Sequence, residues 1–132
     1  MSQILMTRDL MFSSRLASQA RQANVELNVV SSLEKLNSFT EATDVEAVFL
    51  DLEAEAITPK DVINWVRARQ QSQSIVTIAY APHGQIERLR AARSAGFDQV
   101  LTRGQFHQQG GQLMLDAHAA ASVLDRTPQE EA

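Results

Sequence analysis

Short apolar runs alternate with longer two-faced segments along this chain. Five runs stand out: QILMT at 3–7, VELNVV at 25–30, AVFL at 47–50, SIVTIAY at 74–80 and DQVLT at 98–102. Each is short and rich in Val, Ile or Leu, as strands covered on both faces are. The segments between them repeat their apolar residues at helical spacing. Phe12, Leu16, Ala20 and Ala23 line a first helix. Ser31 and Glu34 form a capping box for a second, which carries Leu33 and Leu36. Thr58 followed by Pro59 opens a third, over Val62, Ile63 and Val66. Ile86, Leu89 and Ala92 line a fourth, with Gly96 placed to stop it. Leu113, Ala117, Ala120 and Leu124 line a fifth.

Five strand–helix units predict an α/β fold with a parallel sheet and helices on both faces. Right-handed crossovers restrict the topology further. A length of 132 residues suits one domain, expected over 1–124. The polar tail at 125–132 is expected to be disordered.

Composition excludes several chemistries. The chain has no cysteine, so thiolate metal sites and a Cys nucleophile are out. Its 12 basic and 16 acidic residues give a net charge of −4, which speaks against general nucleic-acid binding. Neither a signal peptide nor a membrane-length apolar run is read, so a cytoplasmic protein is expected. His83, His107 and His118 have no tight ligand spacing. TRDLMFSS, after the first strand, has no glycine to cradle a nucleotide or flavin phosphate.

One position asks for an explanation. Asp51 ends the buried run AVFL, and the carboxyl edge of an open α/β sheet is where ligands and chemistry are placed. FLDLE at 49–53 and IAYAPHGQIERLRAARSAGFDQVLTR at 78–103 together resemble the receiver domain of bacterial response regulators. The resemblance spans about residues 3–124. It implies a flavodoxin-like (βα)5 three-layer sandwich with strand order 2-1-3-4-5. It also implies that Asp51 stands where the family's phosphoacceptor stands. There the acceptor attacks a phosphorus with Mg²⁺ between it and the phosphoryl oxygens.

The other family positions depart from that pattern. Of the acidic pair after the first strand, Arg8 replaces one acid and Asp9 keeps the second. Tyr80 falls where a Thr or Ser reports the phosphoryl group. Arg103 replaces a Lys, and Gly104 the Pro after it. Glu55 stands where the family usually has Pro. A guanidinium never coordinates a metal, so Arg8 implies weak or no Mg²⁺ binding. Arg8 and Arg103 are expected to form a fixed ion cluster with Asp9 and Asp51.

Two function readings follow from the resemblance. The first is a degenerate receiver, a pseudo-receiver, in two-component-type signalling. It is a non-enzymatic interaction module with no catalytic residue and no cofactor. Its partner is a histidine kinase, another signalling protein or a second copy. The docking face is the fourth helix, fifth strand and fifth helix, where Arg88, Arg90 and Arg93 make a basic side. The second is a divergent working receiver, phosphorylated on Asp51, with Asp9 and Asp51 holding Mg²⁺. Trp65, beside Val62 and Val66, is read as partly buried packing.

Overall fold

The computed structural model describes residues 2–39, 44–69 and 74–131, with side chains described as far as residue 120. Strands and helices alternate: β1 (Ser2–Met6), α1 (Leu10–Gln22), β2 (Glu26–Val30), α2 (Leu33–Asn37), β3 (Val45–Asp51), α3 (Pro59–Arg67), β4 (Val76–Ala81), α4 (Ile86–Ala95), β5 (Gln99–Thr102) and α5 (Arg103–Glu131). The strands pair in parallel as one sheet of order β2-β1-β3-β4-β5. This is the (βα)5 sandwich and the strand order expected above.

Alternation along the central strand builds two cores. Val48 and Leu50 of β3 pack with Leu36, Val62, Ile63, Val66 and Leu89, under α2, α3 and α4. Ala47 and Phe49 face the other way, with Phe12, Leu16, Phe106, Leu113 and Met114 of α1 and α5. β3 is buried along its whole length, because it lies at the centre of the sheet and both faces are covered. It starts two residues earlier than its apolar run, and it carries an irregularity. Ser2 pairs with Val45 and Gln3 with Ala47, so Glu46 is an extra residue on β3. The bulge re-aims Glu46 toward α5.

The helix ends follow local chemistry. Thr58 caps α3 by accepting from the Asp61 amide at 3.1 Å, with Pro59 in the first helical position. Gly96 ends α4 at φ +107°, a left-handed conformation that glycine adopts without strain. Thr102 and Gln105 cap α5 reciprocally: the Gln105 amide donates to Oγ1 of Thr102, and the Thr102 amide donates to Oε1 of Gln105.

Three details differ from expectation. Ser32, not Ser31, caps α2 and accepts from the Lys35 amide at 3.2 Å. Adjacent serines offer the same hydroxyl, and the extended backbone at Ser32 is what selects it. Ile86, in the first turn of α4, is exposed, while Leu89 and Ala92 are buried. Ala120 is exposed too, and Leu124 lies outside the described side chains. The backbone of α5 is helical through Glu131. Among the described residues no helix is long and apolar enough to cross a membrane.

Candidate functional site

The site is built where three strands end. β3 delivers Asp51, which is 4% exposed and paired in register with Tyr80 of β4. Two donors hold its carboxylate. The Thr7 hydroxyl donates to Oδ2 at 2.7 Å, and the Glu53 amide donates to Oδ1 at 2.9 Å. Thr7 follows β1 directly and is buried. Its hydroxyl oxygen also accepts from the Asp9 amide at 3.0 Å, so one side chain ties the β1 end to the β3 end.

Asp9 is the N-cap of α1. Its Oδ1 accepts from the Phe12 amide at 3.0 Å, and its Oδ2 is ion-paired with Arg103, the first residue of α5. The Phe12 amide first, then Arg103, hold this carboxyl below the usual carboxylate range. The same ion pair pushes the Arg103 guanidinium up. Arg103 also reaches Glu53 at 3.5 Å and lies over the Phe12 ring at 4.9 Å. Glu53 accepts in turn from the Gln85 amide group at 3.2 Å. Arg88 of α4 donates to the Leu52 carbonyl at 2.6 Å and pairs with Glu55 at 2.9 Å. The loop after Asp51 is thereby fastened to both α4 and α5.

The expected cluster forms without one of its members. Arg8 is exposed and makes no ion pair among the described residues. The chain between β1 and α1 is extended at Asp9, so Thr7 and Asp9 turn inward and Arg8, between them, turns out. Arg103 pairs with Asp9 and Glu53 rather than bonding Asp51. The two positions directly after β1 are thus Thr7 and Arg8, and Asp9 is taken up in capping a helix.

Tyr80 points down into the α1/α5 core. It is fully buried, stacked on Phe106 at 4.3 Å and 15°, with Phe12 at 5.4 Å. Among the described residues its hydroxyl has no hydrogen-bond partner, although Thr7 lies near enough to ease its ionisation slightly. Burial first, then the charge of Asp51, push that hydroxyl far above its ordinary range.

The basic side of α4 divides. Arg88 is turned back onto the β3–α3 loop, Arg90 pairs with Glu87 at 3.2 Å, and Arg93 is exposed. Trp65 is partly buried, with the Arg69 guanidinium 4.0 Å from its ring centroid. Among the described residues no group of three acidic or imidazole side chains is placed to hold a metal. Sequence reasoning missed Thr7, Glu53 and Gln85. Thr7 could have been found by noting that it is the first polar residue after a buried strand.

No family model matches the sequence, and no curated protein matches it. Solved structures do. Full-length FixJ from B. japonicum matches with a TM-score of 0.72 at 12% identity, over 91% of this chain and 58% of that one. A redox sensor of streptococci, from a family evolved from two-component response regulators, matches at 0.75 and 9% identity, over 96% and 55%. The receiver domain of the sensor histidine kinase PA1611 from Pseudomonas aeruginosa PAO1, with magnesium coordinated in its active-site cleft, matches at 0.68 and 13%, over 87% and 97%. The chain thus spans little more than half of the first two proteins and nearly all of the third. It has the fold of the receiver domains of two-component response regulators.

Proposed function

We propose that this chain is a pseudo-receiver: a cytoplasmic protein-interaction module in two-component-type signalling that works without Mg²⁺-dependent phosphorylation and is not itself an enzyme. The observation that carries this reading is the engagement of every carboxylate around Asp51. Both Asp51 oxygens accept from protein donors, and Asp9 and Glu53 share Arg103. Mg²⁺ takes near-ideal octahedral oxygen coordination and gives up its waters reluctantly. A site whose acids are already bound to a hydroxyl, amides and a guanidinium does not fit it. The positions after β1 offer Thr7 and an outward Arg8, neither of them a carboxylate. The existence of redox sensors evolved from response regulators supports the idea that this fold is put to other uses.

In this reading Arg103 stands in for metal and phosphoryl group together, fixing the loop after Asp51 in one arrangement. The partner is a histidine kinase, another signalling protein or a second copy. It meets the face of α4, β5 and α5, where Arg90 and Arg93 are the arginines exposed to it. Intact mass after incubation with a small phosphodonor, with and without Mg²⁺, tests the reading. Unchanged mass in folded protein is expected. A Mg²⁺-dependent gain of one phosphoryl group, absent in Asp51→Asn, would establish instead a working phosphoacceptor.

A further inference from the structure

Beside this cluster, on the far side of Arg103, lies an open cavity of about 430 Å³. Its walls are Phe12 and Arg15 of α1, Pro82 and His83 of the β4–α4 loop, Thr102 of β5, and Arg103, Gly104 and His107 of α5. In a chain of net charge −4 its lining, among the described residues, holds two guanidinium groups, two imidazoles and no carboxylate. We propose that it binds the phosphate dianion of a phosphate monoester.

Several observations converge on an anion. Arg15 is exposed and meets no acid among the described residues; its Nη1 donates to Nε2 of His107 at 3.2 Å. A guanidinium only donates, so Nε2 of His107 is the acceptor in this contact. His107 is held there by stacking on Phe12 at 5.7 Å and 28°. The Thr102 hydroxyl lines the same wall, and the space above Gly104 is open for 4 Å. Gly104 lies in the first turn of α5, where backbone amides lack intrahelical acceptors and favour an anion.

The geometry favours a dianion and couples it to protons. Arg103 is already half-committed to Asp9 and Glu53, which leaves Arg15 as the full positive charge. The charged and titratable groups facing His107 from α1, the β4–α4 loop and α5 are Arg15, His83 and Arg103, with Asp9 and Glu53 engaged by Arg103. Protonating His107 without a ligand sets two cations against each other. With a dianion between them both charges are used. Imidazoles gain charge as pH falls between about 8 and 5, so affinity rises in that direction.

Amide chemical shifts read the site directly. Sulfate is a dianion throughout this range, so its pH dependence reports the protein alone. Titrated at pH 8 and pH 6, with ionic strength fixed by sodium chloride, sulfate is expected to shift residues 12–15, 83–84 and 102–107. Binding should be about fivefold tighter at pH 6, the effect of one added charge at short range. Arg15→Gln, a surface change, should weaken it several-fold at both pH values. His83→Gln with His107→Gln should abolish the pH dependence. Phenyl phosphate and a phosphoserine pentapeptide then separate the sources: tighter phenyl phosphate points to a free ester, tighter peptide to a phosphorylated protein segment. Shifts scattered over the surface, or unchanged in Arg15→Gln, would overturn the site. The outcome does not depend on whether Asp51 accepts a phosphoryl group, and Asp51→Asn should bind sulfate equally.

Discussion

β3 carries a buried acid near each end, and the two are held in different ways. Asp51, at the carboxyl end, accepts from a hydroxyl and a backbone amide that no accessible pH alters. Glu46, near the amino end and 2% exposed, accepts from the Gln3 amide at 3.1 Å and faces Nδ1 of His118 at 3.0 Å. Among the described residues both ends also leave buried polar atoms without a partner: the Tyr80 hydroxyl beside Asp51 and Oε1 of Gln85 beside Glu53, and Oε1 of Gln3 beside Glu46. Burying a carboxylate is costly unless hydrogen bonds replace its water. Glu46 meets that need with a half-exposed imidazole on α5, so the solution doubles as a fastening for that helix. Asp51 meets it with groups from its own loop and from β1, then adds Arg103 one shell out. In the proposed reading the carboxyl end is a rebuilt site, and the amino end is packing.

The largest effect is expected from Thr7→Val, which keeps the side-chain shape and removes the donor to Asp51. A buried carboxylate then loses one of two partners, at a cost of about 1–3 kcal/mol. At the other end Gln3→Met leaves Glu46 its imidazole, and the loss should be nearer about 1 kcal/mol. Urea unfolding at pH 7 measures both. Equal losses, or a larger one at Gln3, would show that the two acids are not held differently.

Next in size is Tyr80→Phe. The ring stays stacked on Phe106 while the unpartnered hydroxyl disappears, so the variant should be more stable by about 1 kcal/mol. Tyr80 is the only tyrosine in the chain, so phenolate absorbance reports it alone. Its folded ionisation is raised above the ordinary tyrosine value, so the folded state favours the neutral phenol. The sign follows: its contribution is full below about pH 10 and is lost as pH rises further. Phenolate should form only as the protein unfolds, and Tyr80→Phe should lose that part of the alkaline slope. A stability loss in the variant at pH 7 would mean that the hydroxyl has a partner worth keeping.

These two ends also separate what the chain shows in one dimension from what it hides. Strands covered on both faces must be apolar throughout, so five runs of Val, Ile and Leu were readable, and with them the sheet. Asp51 was readable because an acid after such a run has no structural reason to be there. Thr7 was not, since threonine is an ordinary residue at a strand end. Glu46 was hidden for a different reason: it belongs to a bulge, and nothing in composition announces one extra residue in a ladder. Arg8 was placed in the cluster by the family resemblance, which sets it where the first acid after β1 stands. The extended backbone there turns alternate residues to opposite sides, and one position decided which arginine reached the acids. Glu53 looked like any loop acid until α5 brought Arg103 to it from fifty residues away.

The smallest effect sharpens the claim that Arg103 belongs to the rebuilt end. Asp9 is held below the ordinary carboxylate range, first by the Phe12 amide and then by Arg103. A depressed folded value stabilises the protein above the unfolded one and is lost as pH falls through the folded one, so the contribution should fade below about pH 4. Both side chains are about one-third exposed, and solvent screens them, so the ion pair is worth roughly 0.2–1 kcal/mol. Asn caps a helix as well as Asp does, so Asp9→Asn keeps the cap and deletes only the charge. Urea midpoints from pH 3 to 7 should then show a slightly flatter acid limb in the variant, and the difference should shrink in high salt. Identical limbs at low salt would mean that Arg103 is not tied to Asp9. The guanidinium would then be held by Glu53 alone, and the case against a metal at Asp51 would rest on Thr7 and Arg8.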